Sequence, residues 1–149
     1  MTNPWSPTTF IVSVTGTAPS ARGAMGWAFD KASRTLWLFG GTTLSGNSFG
    51  DLWKFEVATG AWTQVTEPGG PSARMLTATV WDSAKQRLLV LHGLEGGMFT
   101  SDEFFAFDPG ADGGWSEQTL SNRPTTRSGS SFLGDMLPLC LFGGADNFG

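Results

Sequence analysis

The sequence has no tyrosine, one cysteine and one histidine among its 149 residues. Because Cys140 is alone, no disulfide can form within the chain. Because His92 is alone, a histidine-rich metal site and a repeated histidine base are excluded within it. No spacing of nucleophile, acid and base defines a catalytic site. We therefore assign no catalytic residues and expect neither a metal nor a cofactor.

Charge and long apolar runs are also scarce. Charged residues make up 15% of the chain, and its nine lysines and arginines form no basic run, so we expect no nucleic-acid binding. No apolar stretch approaches the ~18 residues of a membrane span, and no membrane association is expected. The first residues lack the basic segment of a secretion signal. A cytoplasmic location is the resulting expectation.

Glycine and large aromatic residues are abundant instead. Glycine contributes 21 residues, tryptophan seven and phenylalanine twelve. Glycine at this density disfavours a helical bundle, since each glycine in a helix costs about 1 kcal/mol relative to alanine. The apolar content argues against disorder. The composition predicts an all-β protein in which short strands are joined by glycine-rich turns.

A repeat of 52 to 53 residues runs through the chain, marked by a proline three residues before an arginine. An aromatic residue lies twelve residues before each arginine, and an aspartate lies eight residues after it. An apolar run that ends in glycine follows each aspartate. The anchors are, in order, Phe10, Arg22, Asp30 and Gly40; Trp62, Arg74, Asp82 and Gly93; and Trp115, Arg127, Asp135 and Gly143. The third copy is two residues shorter after its aspartate.

Each full unit reads as four strands of an antiparallel meander. The predicted strands are 24–29, 35–39, 52–57 and 62–65 in the first unit, and 76–80, 88–91, 104–107 and 115–118 in the second. Asp30 and Asp82 start turns, since an aspartate side chain accepts bonds from amides ahead of it. One such unit cannot bury both faces, so neighbouring units must stack.

The units resemble kelch repeats. The resemblance rests on the double glycine at 40–41 and 143–144, on the sequence of residues 51–55 (DLWKF), and on a tryptophan followed by Pro-x-x-Arg. His92-Gly93 departs from the double glycine. Kelch repeats have a period of about 50 residues. The resemblance implies a kelch-type β-propeller whose blades are four-stranded antiparallel sheets.

The repeat divides the whole chain, residues 1–149, into pieces of one propeller. Residues 10–21 are predicted to supply an outer strand and an inter-blade loop, with a strand at 10–14. Residues 22–73 form repeat 1, residues 74–126 repeat 2, and residues 127–149 a truncated repeat 3. Fewer than three blades do not close a ring, since propellers have 4–8. We therefore expect a fragment whose open sides require missing blades or self-association.

The predicted interaction site is the end of the propeller where the loop between second and third strands meets the loop between blades. We call this end the loop face; it contains residues 15–21, 41–50, 66–73, 93–102, 120–126 and 144–149. Loops on a rigid scaffold often carry function. In kelch proteins this face commonly binds a protein partner. Its candidate contact residues are Asn47, Phe49, Met98 and Phe99, although these loops could also be solvated connectors.

Arg22, Arg74 and Arg127 have two possible roles. Each could bind an acidic partner, for which a forked guanidinium is suited. Since they recur with the repeat, a structural role is favoured, in which each ties its loop to backbone carbonyls. Cys140 lies in an apolar run and is expected to be buried.

The resemblance also implies an alternative function, a fragment of a propeller enzyme acting on a small carbohydrate-like substrate. Arg22, Arg74, His92 and Glu95 could imitate the scattered polar set of such an enzyme. Copper-radical chemistry of the galactose oxidase kind requires tyrosine, so it is excluded for this segment.

Overall fold

The computed structural model describes residues 14–110, 112–122, 124–133 and 140–146. Within these residues the chain forms strands and turns, with no helix. The strands, in chain order, are β1 (Gly26–Asp30), β2 (Thr35–Phe39), β3 (Leu52–Glu56), β4 (Ala61–Val65), β5 (Arg74–Met75), β6 (Ala78–Asp82), β7 (Arg87–Leu91), β8 (Leu94–Glu95), β9 (Phe99–Thr100), β10 (Phe104–Asp108), β11 (Gly114–Glu117), β12 (Ser128–Leu133) and β13 (Cys140–Ala145).

Two four-stranded antiparallel sheets form complete blades. Blade 1 has the order β1-β2-β3-β4, and blade 2 has the order β6-β7-β10-β11. The turns predicted at the two aspartates are present, since Asp30 Oδ1 accepts the N–H of Ala32 at 2.9 Å and Asp82 Oδ1 that of Ala84 at 3.2 Å. The prediction of an all-β chain built from meander blades is confirmed.

The predicted first strands begin two residues too early. Ala24 and Leu76 have φ of 54° and 56°, in the left-handed region, and precede β1 and β6. Their backbone groups link blades, because the N–H of Leu76 donates to the carbonyl of Ala24 at 2.7 Å. The N–H of Gly129, the equivalent residue of the third unit, donates to the carbonyl of Leu76 at 2.9 Å. This ladder joins the innermost ends of successive blades.

Aromatic side chains fill the junction between blades 1 and 2. Trp37 of β2 stacks on Trp81 of β6, with ring centroids 5.9 Å apart and planes 4° from parallel. Phe39 meets Trp115 edge-on at 5.7 Å. Trp115 therefore packs between blades. Its counterpart Trp62 contacts Phe55 of its own blade at 5.0 Å.

The third unit forms the two-stranded sheet β12-β13, which packs on blade 2 through Phe132 and Leu141. Leu133 pairs with Cys140 across six intervening residues, whereas Ala28 pairs with Trp37 across eight. The difference matches the two-residue deletion read from the sequence. Asp135 lies outside the described residues. The prediction that Cys140 is buried is wrong, because β13 is an edge strand and exposes it.

The N-terminal strand predicted at 10–14 lies outside the described residues except for Val14, which is not in a strand. Beyond it, Thr15 forms a parallel bridge to Ala61 on the outer edge of blade 1. The N–H of Thr15 donates to the carbonyl of Gly60 at 2.9 Å. The outer strand β4 thus has a backbone partner at this point.

Candidate protein-interaction face

The loop face contains two long loops built alike. In blade 2, the loop between β7 and β10 folds into the small sheet β5-β8-β9. In blade 1, isolated bridges join Gly23 to Thr42 and Thr42 to Ser48, at the positions equivalent to those three strands. Both loops are therefore held by backbone pairing to the segment that enters their own blade, which gives them a fixed shape.

The tips of these loops project apolar side chains into solvent. Met98 and Phe99 are each 67% exposed, and Leu44 of the blade 1 loop is fully exposed. In blade 2 the tip turns at Gly96 and Gly97, both with positive φ, and the N–H of Met98 donates to the carbonyl of Glu95 at 3.1 Å. Glycine adopts this left-handed conformation without steric cost, so the chain can turn sharply just before the exposed Met98 and Phe99.

The remaining two predicted contact residues are placed differently. Asn47 is exposed, and its N–H donates to Thr43 Oγ1 at 3.2 Å while its carbonyl accepts the N–H of Thr43 at 3.0 Å. It closes the blade 1 loop. Phe49 is half-buried and its ring lies 3.7 Å from the guanidinium carbon of Arg22. The ring is thus engaged in a cation–π contact within the chain.

Each of the three arginines makes the same pair of bonds to the backbone. Nε donates to the carbonyl two residues earlier, at 3.0 to 3.1 Å. Nη1 donates to the carbonyl of the residue that begins the glycine motif, which is Gly40 for Arg22, His92 for Arg74 and Gly143 for Arg127. The arginines therefore tie the inter-blade loop to the end of the second strand.

Carboxylates complete two of these arginine sites. Asp51 pairs with Arg22 through both oxygens, with Oδ2 at 3.0 Å from Nη2. Arg74 Nη2 pairs with Glu103 and with Glu95 Oε1, the latter at 2.7 Å. The Arg22 and Arg74 side chains are only 3% and 1% exposed. Their guanidinium charges are consequently covered by the chain itself, and the outward charges here are the partly exposed carboxylates.

Asp51 and Glu103 were missed as partners of the arginines in the sequence, although a signal was present. Each lies 29 residues after its arginine. Leu44 was also missed as an exposed tip residue. Of the proposed enzyme-like set, the structure brings Arg74 and Glu95 together with the backbone of His92, whereas Arg22 pairs with Asp51 instead.

The double-glycine motif joins one blade to the next. The N–H of Gly41 donates to the carbonyl of Arg74 at 2.9 Å, and that of Gly93 to the carbonyl of Arg127 at 3.2 Å. A Cβ on Gly40 would lie 2.4 Å from the Arg74 carbonyl oxygen, so only glycine fits there. His92 takes the first position in blade 2 with φ of 60°, and its side chain is fully buried.

A sequence-family model described as the KLHDC2/KLHL20/DRC7 kelch-repeats domain matches residues 1–149. The chain belongs to this kelch-repeat family. No curated protein matches it significantly.

Among solved structures, the kelch-type propeller YjhT superimposes with a TM-score of 0.67 at 14% sequence identity. The match covers 92% of this chain and 43% of the YjhT chain. The kelch chain thus spans less than half the length of the propeller that it matches.

A cavity of about 410 Å³ lies along the three inner strands of the kelch blades. Its lining includes the hydroxyl residues Thr77, Thr79 and Ser130. Across the described ranges, no three histidine, cysteine or acidic residues are grouped to hold a metal ion. In the same part of the chain, no helix is long and apolar enough to cross a membrane.

Asp51 of the first kelch repeat accepts bonds from Arg22 and from Trp53 Nε1. Partial burial raises the pKa of Asp51, but bonds from Arg22 and Trp53 Nε1 and the charge of Arg22 outweigh it, so the pKa lies below the ordinary 3.8. A depressed pKa means that the folded state holds the ionised form more strongly than the unfolded state does. The resulting stability is present above the unfolded pKa and lost as pH falls through the folded pKa.

We expect Asp51→Asn to lower the free energy of unfolding at pH 7 by about 1–2 kcal/mol, since a bond to a charged group is lost and solvent screens part of it. Urea unfolding at a series of pH values measures this difference, which should shrink below about pH 4. Glu117→Gln removes the same charge from an exposed position and should leave stability at pH 7 unchanged. A constant difference between wild type and Asp51→Asn down to pH 2 would contradict the assignment.

Proposed function

We propose that this kelch chain is a non-catalytic scaffold that binds a protein partner through the loop face. The observation that carries the proposal is the pair of 67% exposed side chains, Met98 and Phe99, held at the tip of the β5-β8-β9 sheet. Because the β5-β8-β9 sheet already holds this loop in a fixed shape, less conformational entropy is lost when the two side chains become ordered on binding. Aromatic anchors supply much of the energy of protein interfaces.

The charges around the tip suggest the chemistry of the partner. Arg74 is buried, while its partners Glu95 and Glu103 expose 36% and 40% of their side chains. The blade 1 loop repeats the pattern with Leu44 at its tip and Asp51 on the covered Arg22. A fitting partner has an apolar pocket for Met98 and Phe99 with basic side chains at its rim. Arg22, Arg74 and Arg127 then support the loops and do not contact the partner.

Site-specific cross-linking provides the test. A photo-reactive phenylalanine analogue at position 99 should cross-link one defined partner in lysate of the source cells, whereas the analogue at Thr59, in an exposed turn at the other end of the blade, should not. The variant combining Met98→Ser and Phe99→Ser should lose at least 90% of the captured partner while its unfolding curve is unchanged. Equal capture by the double variant and the wild type would overturn the proposal.

The enzyme alternative is favoured by one observation, the cavity along the inner strands. Its hydroxyl residues Thr77, Thr79 and Ser130 are suited to bind a small polar molecule such as a sugar. Calorimetric titration with mono- and disaccharides separates the two functions, because a scaffold that acts through the loop face has no need to bind them.

A further inference from the structure

The two outer flanks of the blade stack are apolar. We call the side of a blade that faces the next blade along the chain its forward flank, and the side that faces the preceding blade its backward flank. In each junction inside the chain, a forward flank packs on the backward flank of the next blade. Blade 1 presents Ala28, Trp37 and Phe39 forward, and blade 2 covers them with Trp81 and Trp115 among others. Within the described residues, the flanks that no other blade covers are the forward flank of the third unit and the backward flank of blade 1.

The forward flank of the third unit repeats residues that are buried in the other two units. The strand registers align three residues of the third unit with residues of blade 1: Leu133 with Ala28, Cys140 with Trp37, and Phe142 with Phe39. The three blade 1 residues are 5%, 5% and 1% exposed, whereas Leu133 is 61% and Phe142 73% exposed. Their counterparts in blade 2 are also buried. These are Val80, Leu89 and Leu91.

The backward flank of blade 1 matches the surface that blade 2 already uses. The strand registers define four equivalent pairs in blades 1 and 2, which are Phe29 and Trp81, Leu36 and Leu88, Phe55 and Phe107, and Trp62 and Trp115. All eight residues are apolar. Trp81 is 4% exposed because it lies against blade 1, whereas Phe29 is 40% exposed and the neighbouring Trp27 64%. Blade 1 thus offers the kind of surface that a forward flank accepts.

Backbone groups at the two flanks complement each other in the same way. Two backbone hydrogen bonds form at each junction inside the chain. The carbonyl of the residue two positions after the arginine accepts the N–H of the equivalent residue in the next blade. The N–H of the second residue of the glycine motif donates to the carbonyl of the arginine in the next blade. The forward flank ends with the carbonyl of Gly129 and the N–H of Gly144. The backward flank begins with the N–H of Ala24 and the carbonyl of Arg22. These groups are the two halves of one further junction.

We propose that two copies of this chain associate head to tail and close a propeller, with the forward flank of each copy on the backward flank of the other. Identical surfaces used head to tail form either a closed ring or an open fibre. Closure with two copies is favoured because one copy covers 43% of a YjhT propeller chain, so two supply most of one ring. For the 149-residue chain, the occupant proposed for each flank is therefore a second copy.

The first test is the mass of the purified 149-residue chain by sedimentation equilibrium. The expected species has twice the 15.8 kDa mass of one chain and does not grow further with concentration. A monomer at all concentrations up to 100-fold above the first detection limit would overturn the proposal. Open polymers of increasing length would overturn the closed ring.

A complementation experiment tests the head-to-tail geometry. Phe142→Asp damages only the forward flank and Phe29→Asp only the backward flank, so each variant alone should weaken association at least tenfold. Mixed together, the two variants regain dimers, because one undamaged forward flank meets one undamaged backward flank. Phe99→Asp is the matched control, an aromatic outside both flanks that is 67% exposed against 73% for Phe142, and should dimerise like the wild type. A mixture that remains monomeric contradicts the geometry.

A thiol cross-linking experiment reads out the same junction without weakening it, should the aspartate variants fail to fold. Cys140 takes the place of Trp37, and Phe29 that of Trp81, two residues whose rings stack across the junction within the chain. Because packed sheets lie about 10 Å apart, beyond the reach of a disulfide, a bis-maleimide with a spacer of about 10 Å is used. Phe29→Cys should be linked by it to Cys140 of the second copy and run as a covalent dimer. Thr59→Cys, away from both flanks, should not. Equal cross-linking of both variants would refute the arrangement.

Discussion

Replacing Trp81 with alanine is expected to lower the free energy of unfolding by about 4 kcal/mol, the range seen when a buried aromatic is truncated. Trp81 is 4% exposed and stacks at 5.9 Å on Trp37 of the other complete blade. The substitution therefore removes apolar area and the aromatic stacking that joins the two blades, and it leaves a cavity. Urea unfolding at one fixed protein concentration measures the loss.

Two further variants separate packing from polarity at this junction. Trp81→Phe keeps an aromatic ring and removes an indole N–H that has no hydrogen-bond partner among the described residues, so its cost should be about 1 kcal/mol. Phe99→Ala, at a 67% exposed position, should change stability by less than about 0.5 kcal/mol. A loss below about 1 kcal/mol for Trp81→Ala would show that the blades are not held by this contact.

The blades could be predicted from the sequence because they follow from repeated local signals. Asp30 and Asp82 mark turns by bonds to amides two residues ahead, which is chemistry within one short segment. The continuous apolar runs that become β2 and β7 are buried on both faces by neighbouring strands and blades. Local signals of this kind recur in each copy, so one copy supports the interpretation of another.

The inter-blade backbone ladder could not be predicted in this way. Alanine and leucine at 24 and 76 have no preference for positive φ, and propensity places them in the strand that follows. Both residues adopt a positive φ because the N–H of Leu76 then reaches the carbonyl of Ala24 in the preceding blade. The same holds for Cys140, whose burial depends on a neighbouring blade and not on its own strand.

The candidate site was predicted as a region but not in its detail. The glycine-rich loops indicated the loop face, whereas the strands β5, β8 and β9 have only two residues each, too few for any periodic pattern. The arginine partners required a comparison of copies at a separation of 29 residues. Whether an arginine faces solvent or a carboxylate is decided by tertiary packing, which left both roles open in the sequence.

The second large effect is expected at Arg74. Arg74→Met should lower the free energy of unfolding by about 3 kcal/mol, since it leaves two neighbouring carboxylates without their cation and buried carbonyl acceptors without a donor. The cost stays below that of a wholly buried pair because Glu95 and Glu103 retain access to water. The loss is measured by urea unfolding at pH 7.

The three arginines form a graded series that isolates the contribution of the carboxylates. Among the described residues, Arg74 pairs with two carboxylates and Arg22 with Asp51, whereas Arg127 bonds the carbonyls of Thr125 and Gly143 from a more exposed position. Their methionine variants should therefore lose about 3, 2 and 1 kcal/mol respectively. Hydrogen exchange of residues 94–100 should also accelerate in Arg74→Met and not in Arg127→Met, because Arg74 anchors the loop that carries Met98 and Phe99. Equal losses in all three variants would mean that the backbone bonds alone hold the loop face.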